Sequence, residues 1–279
     1  MRIGAPLSLQ TRDPAELAQA HVELGYRAAF CPWGLSMDDL AYLHGLRDAF
    51  AERDVVIAEV VGWRNPIPRD ETMRADAFAW LCEQLAVAEE LDARCCLTFG
   101  GTVDNEKSWT VNPENLTRDT FELITETVRR LIDEVRPKRT KLCLEMMASV
   151  FPDSAESYLE LLRAVDRAAF GVHLDPINLI LSREQYFDPA PVVRDCVSAL
   201  GPYIVSCHAK DILWRPERGY HLHETIPGTG AFDFHMYLRE LRNLPRDVPL
   251  MLEHLNSPEE YRQGFDYLQA VEKDLKRKA

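Results

Sequence analysis

The sequence predicts a single α/β domain, a (β/α)8 TIM barrel spanning residues 1–279, on three observations. Short apolar runs alternate with longer segments of helical period along the chain, with no linker or low-complexity break between them. Such alternation argues for parallel strands joined by crossover helices. The length of 279 residues accommodates one barrel of about 250 residues with little left over. Four consecutive apolar runs also end in side chains of metal-ligand type. Residues 141–145 end in Glu145, 170–175 in Asp175, 203–208 in His208 and 248–253 in Glu253. Their separations are 30, 33 and 45 residues, against roughly 31 for one strand–helix unit. The longest gap holds one unit plus the loop 211–231.

Local signals justify the elements in order. Residues 2–9 read as a first strand. Asp13 as N-cap and Pro14 at the first helical position open a helix that stops at Gly25. Residues 26–31 form a second strand, closed by the loop Pro32-Trp33-Gly34, and Ser36 to Asp39 start a helix reaching about residue 52. A third strand, 55–61, is interrupted by Glu59, and a helix at about 69–91 shows apolar residues at helical spacing. A fourth strand, 94–99, leads into a polar loop at 102–112 that contains Trp109, then a helix from 113 to about 135. Helices at about 154–169, 188–200, 233–243 and 258–276 follow the four ligand-bearing strands.

Composition narrows the partners. The net charge is −13, and Lys and Arg cluster only in the short stretch 273–278. An acidic surface does not steer toward phosphate backbones, so no nucleic-acid partner is expected. No apolar run is long enough for a membrane span and no secretory leader is visible, so a cytoplasmic protein without a membrane partner is expected. Seven cysteines, mostly inside apolar elements and without a Cys-x-x-Cys pair, read as reduced core thiols.

Side chains alternate along a strand, which puts Cys143 with Glu145, His173 with Asp175, and Ser206 with His208 on inward faces. In each strand the ligand-type residue is the last inward position, level with the barrel mouth. Carboxylates packed together repel and take up protons unless a cation neutralises them. Glu145, Asp175, His208 and Glu253 are therefore expected to hold one divalent ion. Three carboxylates and an imidazole favour Mn²⁺ or Mg²⁺, with Zn²⁺ and Co²⁺ also compatible. Lys210, two residues past His208, is a candidate substrate contact. Glu59 reads either as an acceptor for a substrate hydroxyl or as a paired core residue. Trp63 and Trp109 sit on mouth-side loops, where an aromatic ring either packs as core or lid or stacks on a ligand. His173 reads as a core or ligand-orienting histidine, and His221, His223 and Glu224 as exposed loop residues. The amides of Gly228 and Gly230 are placed to hold an anion or to set a turn.

The motifs Leu144-Glu145, His173-Leu-Asp175-Pro-Ile-Asn178, Cys207-His208-Ala-Lys210-Asp211, Pro227-Gly-Thr-Gly230 with Asp233, and Leu252-Glu253-His254 resemble one family. It is the sugar phosphate isomerase/epimerase superfamily of xylose isomerase-like barrels, which includes ketose 3-epimerases, hydroxypyruvate isomerase, inosose isomerases and dehydratases, and more distantly endonuclease IV. The motifs cover the C-terminal half; the N-terminal half is similar in pattern and length. The resemblance implies a divalent-metal-dependent isomerase or epimerase of a ketose, keto-polyol or related carbohydrate. It implies proton abstraction next to a metal-held carbonyl, through a cis-enediolate, with Glu145 and Glu253 as the acid/base pair. Asp175 and His208 would complete the metal shell. A lyase or dehydratase acting on a keto-sugar or inosose by the same first step is the alternative. The resemblance also sets Asn178 where ketose epimerases often carry a substrate-binding histidine. Arg215 falls near the usual substrate arginine, with Trp214 at the expected spacing. Endonuclease IV would need further histidines at the ends of the earlier strands, where Cys31, Glu59 and Thr98 stand instead. Barrels of this kind often form homodimers or homotetramers.

Overall fold

The computed structural model describes residues 1–105, 110–215 and 219–278. Its strands are β1 (Ile3–Gly4), β2 (Ala28–Phe30), β3 (Val56–Val61), β4 (Cys95–Phe99), β5 (Lys141–Glu145), β6 (Phe170–Leu174) and β7 (Ile204–Ala209), then β8 (Asp211–Trp214), β9 (Leu222–Thr225) and β10 (Leu250–Leu252). Eight of them close into a barrel in the order β1-β10-β7-β6-β5-β4-β3-β2, and every pairing in it is parallel. The helices are α1 (Pro14–Glu23), α2 (Leu40–Glu52), α3 (Glu71–Glu90), α4 (Arg118–Val135) and α5 (Ala155–Val165), then α6 (Arg183–Phe187), α7 (Ala190–Leu200), α8 (Phe234–Arg242) and α9 (Pro258–Lys278).

The expected caps are present. Asp13 accepts from the amides of Ala15 and Glu16 with Pro14 behind it, and Gly25 takes φ +83° just past α1. Three departures from the expected boundaries have local causes. The first strand shrinks to two residues, because only Ile3 and Gly4 pair with β10 and β2. Gly4 lies so close to Ala28 that a Cβ would stand 2.1 Å from its carbonyl oxygen. The second helix begins at Leu40, after a tight turn at 37–39 capped by Ser36. The segment 211–231 is more than a loop: β8 and β9 form an antiparallel hairpin within it, outside the barrel.

The main core lies between barrel and helices, where residues such as Leu85, Leu131, Leu161 and Leu238 are fully buried. The barrel interior is filled separately, by Cys95, Leu97, Cys143 and Val205 in one cluster and Ala28, Ala58 and Met251 in another. All seven cysteines are free thiols, and burial pushes those of Cys95 and Cys96 upward. Tyr158 of α5 ties two strands together, its hydroxyl meeting both backbone groups of Leu144 and the carbonyl of Gly171. That brace sits directly beneath the end of β5. Among the described residues no helix is long and apolar enough to cross a membrane.

Candidate metal centre

Four neighbouring strands of the barrel, β5, β6, β7 and β10, deliver Glu145, Asp175, His208 and Glu253 to one point. One ligand atom from each lies within 4.8 Å of all the others, and all four residues are buried. His208 Nδ1 stands 3.0 Å from Glu253 Oε1, 3.5 Å from Glu145 Oε1 and 3.8 Å from Asp175 Oδ2. His208 Nδ1, Asp175 Oδ2 and Glu253 Oε1 are buried without a hydrogen-bond partner. Buried polar atoms left so are rare and costly, and here they converge on one centre. A hard divalent cation satisfies that donor set of carboxylates and one imidazole.

The surrounding groups hold these ligands in place. Glu59 of β3 is fully buried, accepts from Ser206, and receives His208 Nε2 at 3.2 Å on Oε2. With Nε2 engaged there, Nδ1 of His208 faces the cluster, the arrangement by which a carboxylate fixes a ligand histidine. His173 Nε2 lies 3.2 Å from Glu59 Oε1, and its ring packs edge-on against His208 at 4.0 Å between centroids. Burial alone would raise the Glu59 carboxyl; the His208 and His173 rings hold it well below the usual range. Asn178 donates to Glu145 Oε1 and to the Met146 carbonyl, both at 3.0 Å. It thus fixes the carboxylate that the sequence paired with Glu253.

Lys210 reaches the same centre. Its ammonium is 2.7 Å from Asp175 Oδ2, 2.8 Å from Glu253 Oε1 and 3.3 Å from Glu224 Oε1. The first two are close ion pairs without hydrogen-bond geometry. Burial would lower Lys210, and the carboxylates of Asp175 and Glu253 keep it charged. The same balance, burial against Glu253 and Glu59, leaves His208 well above the usual histidine range.

Two residues at the mouth were given no site role from the sequence, where Glu224 read as an exposed loop residue and His254 only as part of a motif. Glu224, on β9, is brought over the cluster by the hairpin; His254 follows β10 in a left-handed conformation, φ +56°. They meet through His254 Nδ1 and Glu224 Oε2 at 2.7 Å, and His254 Nε2 lies 3.5 Å from Glu253 Oε2. A histidine held at positive φ beside a ligand is local strain of the kind found at functional sites. Other candidates fall elsewhere. Arg215 is exposed at the end of β8 and is not part of the cavity wall, Trp109 lies outside the described residues, and Trp63 does line the cavity. The Gly228 and Gly230 amides do hold an anion, but it is the Asp211 carboxylate, which also accepts from Ile212 and Phe232.

A family model described as the xylose isomerase-like TIM barrel matches residues 17–271. The chain belongs to that family. Solved structures of the same fold serve different chemistries. A D-tagatose 3-epimerase-like protein is 20% identical, with 100% of this chain and 99% of that one covered and a TM-score of 0.72. Endonuclease IV from Thermus thermophilus is 18% identical, covering 98% and 100%, with a TM-score of 0.70. A probable 3-DHS dehydratase from Bacillus anthracis is 18% identical, covering 99% of both chains, with a TM-score of 0.69. No curated protein matches the chain. At such identities the likeness speaks for the fold, and the chemistry has to be argued from the site.

Proposed function

We propose that this xylose isomerase-like barrel is a divalent-metal-dependent isomerase or epimerase of a ketose, keto-polyol or related carbohydrate in the cytoplasm. The observation that carries the reading is the placement of Glu145 and Glu253. They stand on β5 and just past β10, with β6 and β7 between them, and both line the same cavity as His208 and Lys210. Two carboxylates flanking one centre are what a proton needs to leave one face of a carbon and return to another.

An ion held by Glu145, Asp175, His208 and Glu253 would supply Lewis-acid polarisation of a carbonyl. The rest falls to the chain. Asn178 keeps Glu145 aimed, and Glu59 keeps His208 turned toward the cluster. Lys210 offers a fixed positive charge beside Asp175 and Glu253, where it would stabilise developing oxyanion character. Mn²⁺ or Mg²⁺ fits the three carboxylates better than a softer ion. Toward the first half of the barrel the mouth carries Phe30, Cys31 and Trp63, a wall that suits a small organic substrate rather than further metal ions and a DNA backbone.

The test is proton NMR in D₂O on Mn²⁺-loaded and demetallated protein, with free ketoses, hydroxypyruvate, inososes and 3-keto-glycosides. Metal-dependent deuterium uptake beside the carbonyl is expected, and a new epimer or a moved carbonyl identifies isomerisation. An unsaturated product would instead identify the lyase reading, which shares the first step. Glu253→Gln should keep the fold and lose exchange; full exchange in that variant removes Glu253 from the acid/base pair.

A further inference from the structure

The cavity above the metal cluster has a volume of about 640 Å³, and its two half-walls differ in chemistry. Barrel order keeps β5, β6, β7 and β10 together and β1 to β4 together. The first group and its mouth segments contribute Glu145, Asn178, His208, Lys210, Glu224 and Glu253, with Met147, Ala148 and the ring of Tyr261 beside them. The second contributes Phe30, Cys31, Trp33, Val61, Trp63 and Leu97. Its one acid, Glu59, is already engaged with His208, His173 and Ser206.

A free sugar is hydroxylated all round, and each hydroxyl buried without a partner is costly. The β1–β4 wall offers such hydroxyls little. It offers instead an indole that is 77% exposed, Trp33, and a second, Trp63, braced against Phe99 at 5.8 Å between centroids. A large aromatic left in the open at the rim of a cavity signals a binding surface. Size agrees. At roughly 30 Å³ per water-sized unit the cavity has room for about twenty heavy atoms, and a free hexose has about twelve.

We propose, resting on the carbohydrate reading above, that the substrate is a keto-sugar glycoside with an apolar, ring-bearing aglycone. Its hydroxylated end lies on the polar wall over the metal cluster. Its aglycone lies against Trp33 and Trp63 of the opposite wall.

Calorimetric binding of phenyl and methyl 3-keto-β-glucosides to the Mn²⁺-loaded protein tests this. The phenyl glycoside should bind at least about tenfold more tightly. Trp33→Ala, at an exposed position that does not threaten the fold, should remove most of that gain and leave the methyl glycoside within about twofold; Trp63→Leu should remove most of the gain too. Equal affinities, no affinity for either ligand, or a preference untouched by both substitutions overturns the proposal. Deuterium uptake is scored on the same two ligands. Uptake without a phenyl preference removes the glycoside and leaves the isomerase standing; a phenyl preference without uptake does the reverse.

Discussion

Asp175 and Asp211 are both buried aspartates just past the ends of neighbouring barrel strands, 0% and 1% exposed, yet the protein treats them in opposite ways. Asp211 receives four backbone amides, from Ile212, Gly228, Gly230 and Phe232. Gly228 reaches it at φ +91°, and at Gly230 a Cβ would collide with Asp211 Oδ1 at 2.3 Å, so both positions require glycine. Asp175 receives one amide, from Ile177 on Oδ1, and its Oδ2 has no hydrogen bond. The first carboxylate is neutralised by the fold and holds the hairpin's base to the following turn. The second, without a hydrogen bond on Oδ2, is met there by a cation, the Lys210 ammonium at 2.7 Å. A place where cations rather than amides meet a carboxylate is thus read from what the backbone fails to supply, since the two residues are equally buried.

The comparison breaks most visibly at Asp175. Asp175→Asn should weaken Mn²⁺ binding by more than about 100-fold, since even outer-shell partners of a metal are worth about 10–100-fold. At an ion concentration about 100 times the wild-type Kd, urea unfolding should show a gain of about 2.7 kcal/mol for the wild type and almost none for the variant. Asp211→Asn should do the converse. It loses the charge that four amides converge on and should cost about 2–3 kcal/mol with or without Mn²⁺, while the gain from the ion survives. A metal dependence lost in Asp211→Asn and kept in Asp175→Asn would invert the assignment. Glu59→Gln is a smaller step. It retains an acceptor but not the charge that orients His208, and calorimetry should show Mn²⁺ affinity lowered about tenfold with the fold intact.

How much of this was legible follows from range. The barrel and the convergence of four strand-end side chains were readable because strand-end position and unit length are local and periodic, and Glu145, Asp175, His208 and Glu253 do meet. Glu224 was not readable. Its strand is four residues long and partly exposed, so neither alternation nor apolarity marks it, and only the closing of the hairpin brings it to Lys210. His254 was hidden for another reason, because nothing in Leu252-Glu253-His254 announces a left-handed backbone. The Gly228–Gly230 turn is legible as an anion holder, but which anion depends on Asp211, 17 residues earlier in the chain for Gly228. The role of Glu59 was open between two readings. The structure engages both its oxygens with protein groups and still leaves it on the cavity wall.

A third carboxylate sharpens the comparison at low amplitude. Glu89, near the end of α3, accepts on Oε2 from the amides of Lys138, Arg139 and Thr140 at 3.0–3.1 Å, and Arg139 Nε reaches Oε1 at 3.2 Å. Like Asp211 it is held by backbone amides, but closer to solvent, and the balance differs: burial raises the Asp211 carboxyl despite its four amides. Burial pushes the Glu89 carboxyl up, but the three amides and the guanidinium outweigh that and leave it lowered. A lowered folded value means the unfolded chain binds the proton more readily. The stabilisation is therefore complete above about pH 4.3, the unfolded value, and fades as pH falls through the lower folded one. Glu89→Gln keeps one acceptor oxygen for the amides and loses only the charge, so it should cost about 1 kcal/mol at pH 7. Urea unfolding at pH 7, 5 and 3.5 should show the gap between wild type and variant intact at pH 5 and smaller at pH 3.5. A gap that stays constant would assign the loss to packing, and backbone amides would then not be the reason a buried carboxylate in this barrel needs no cation.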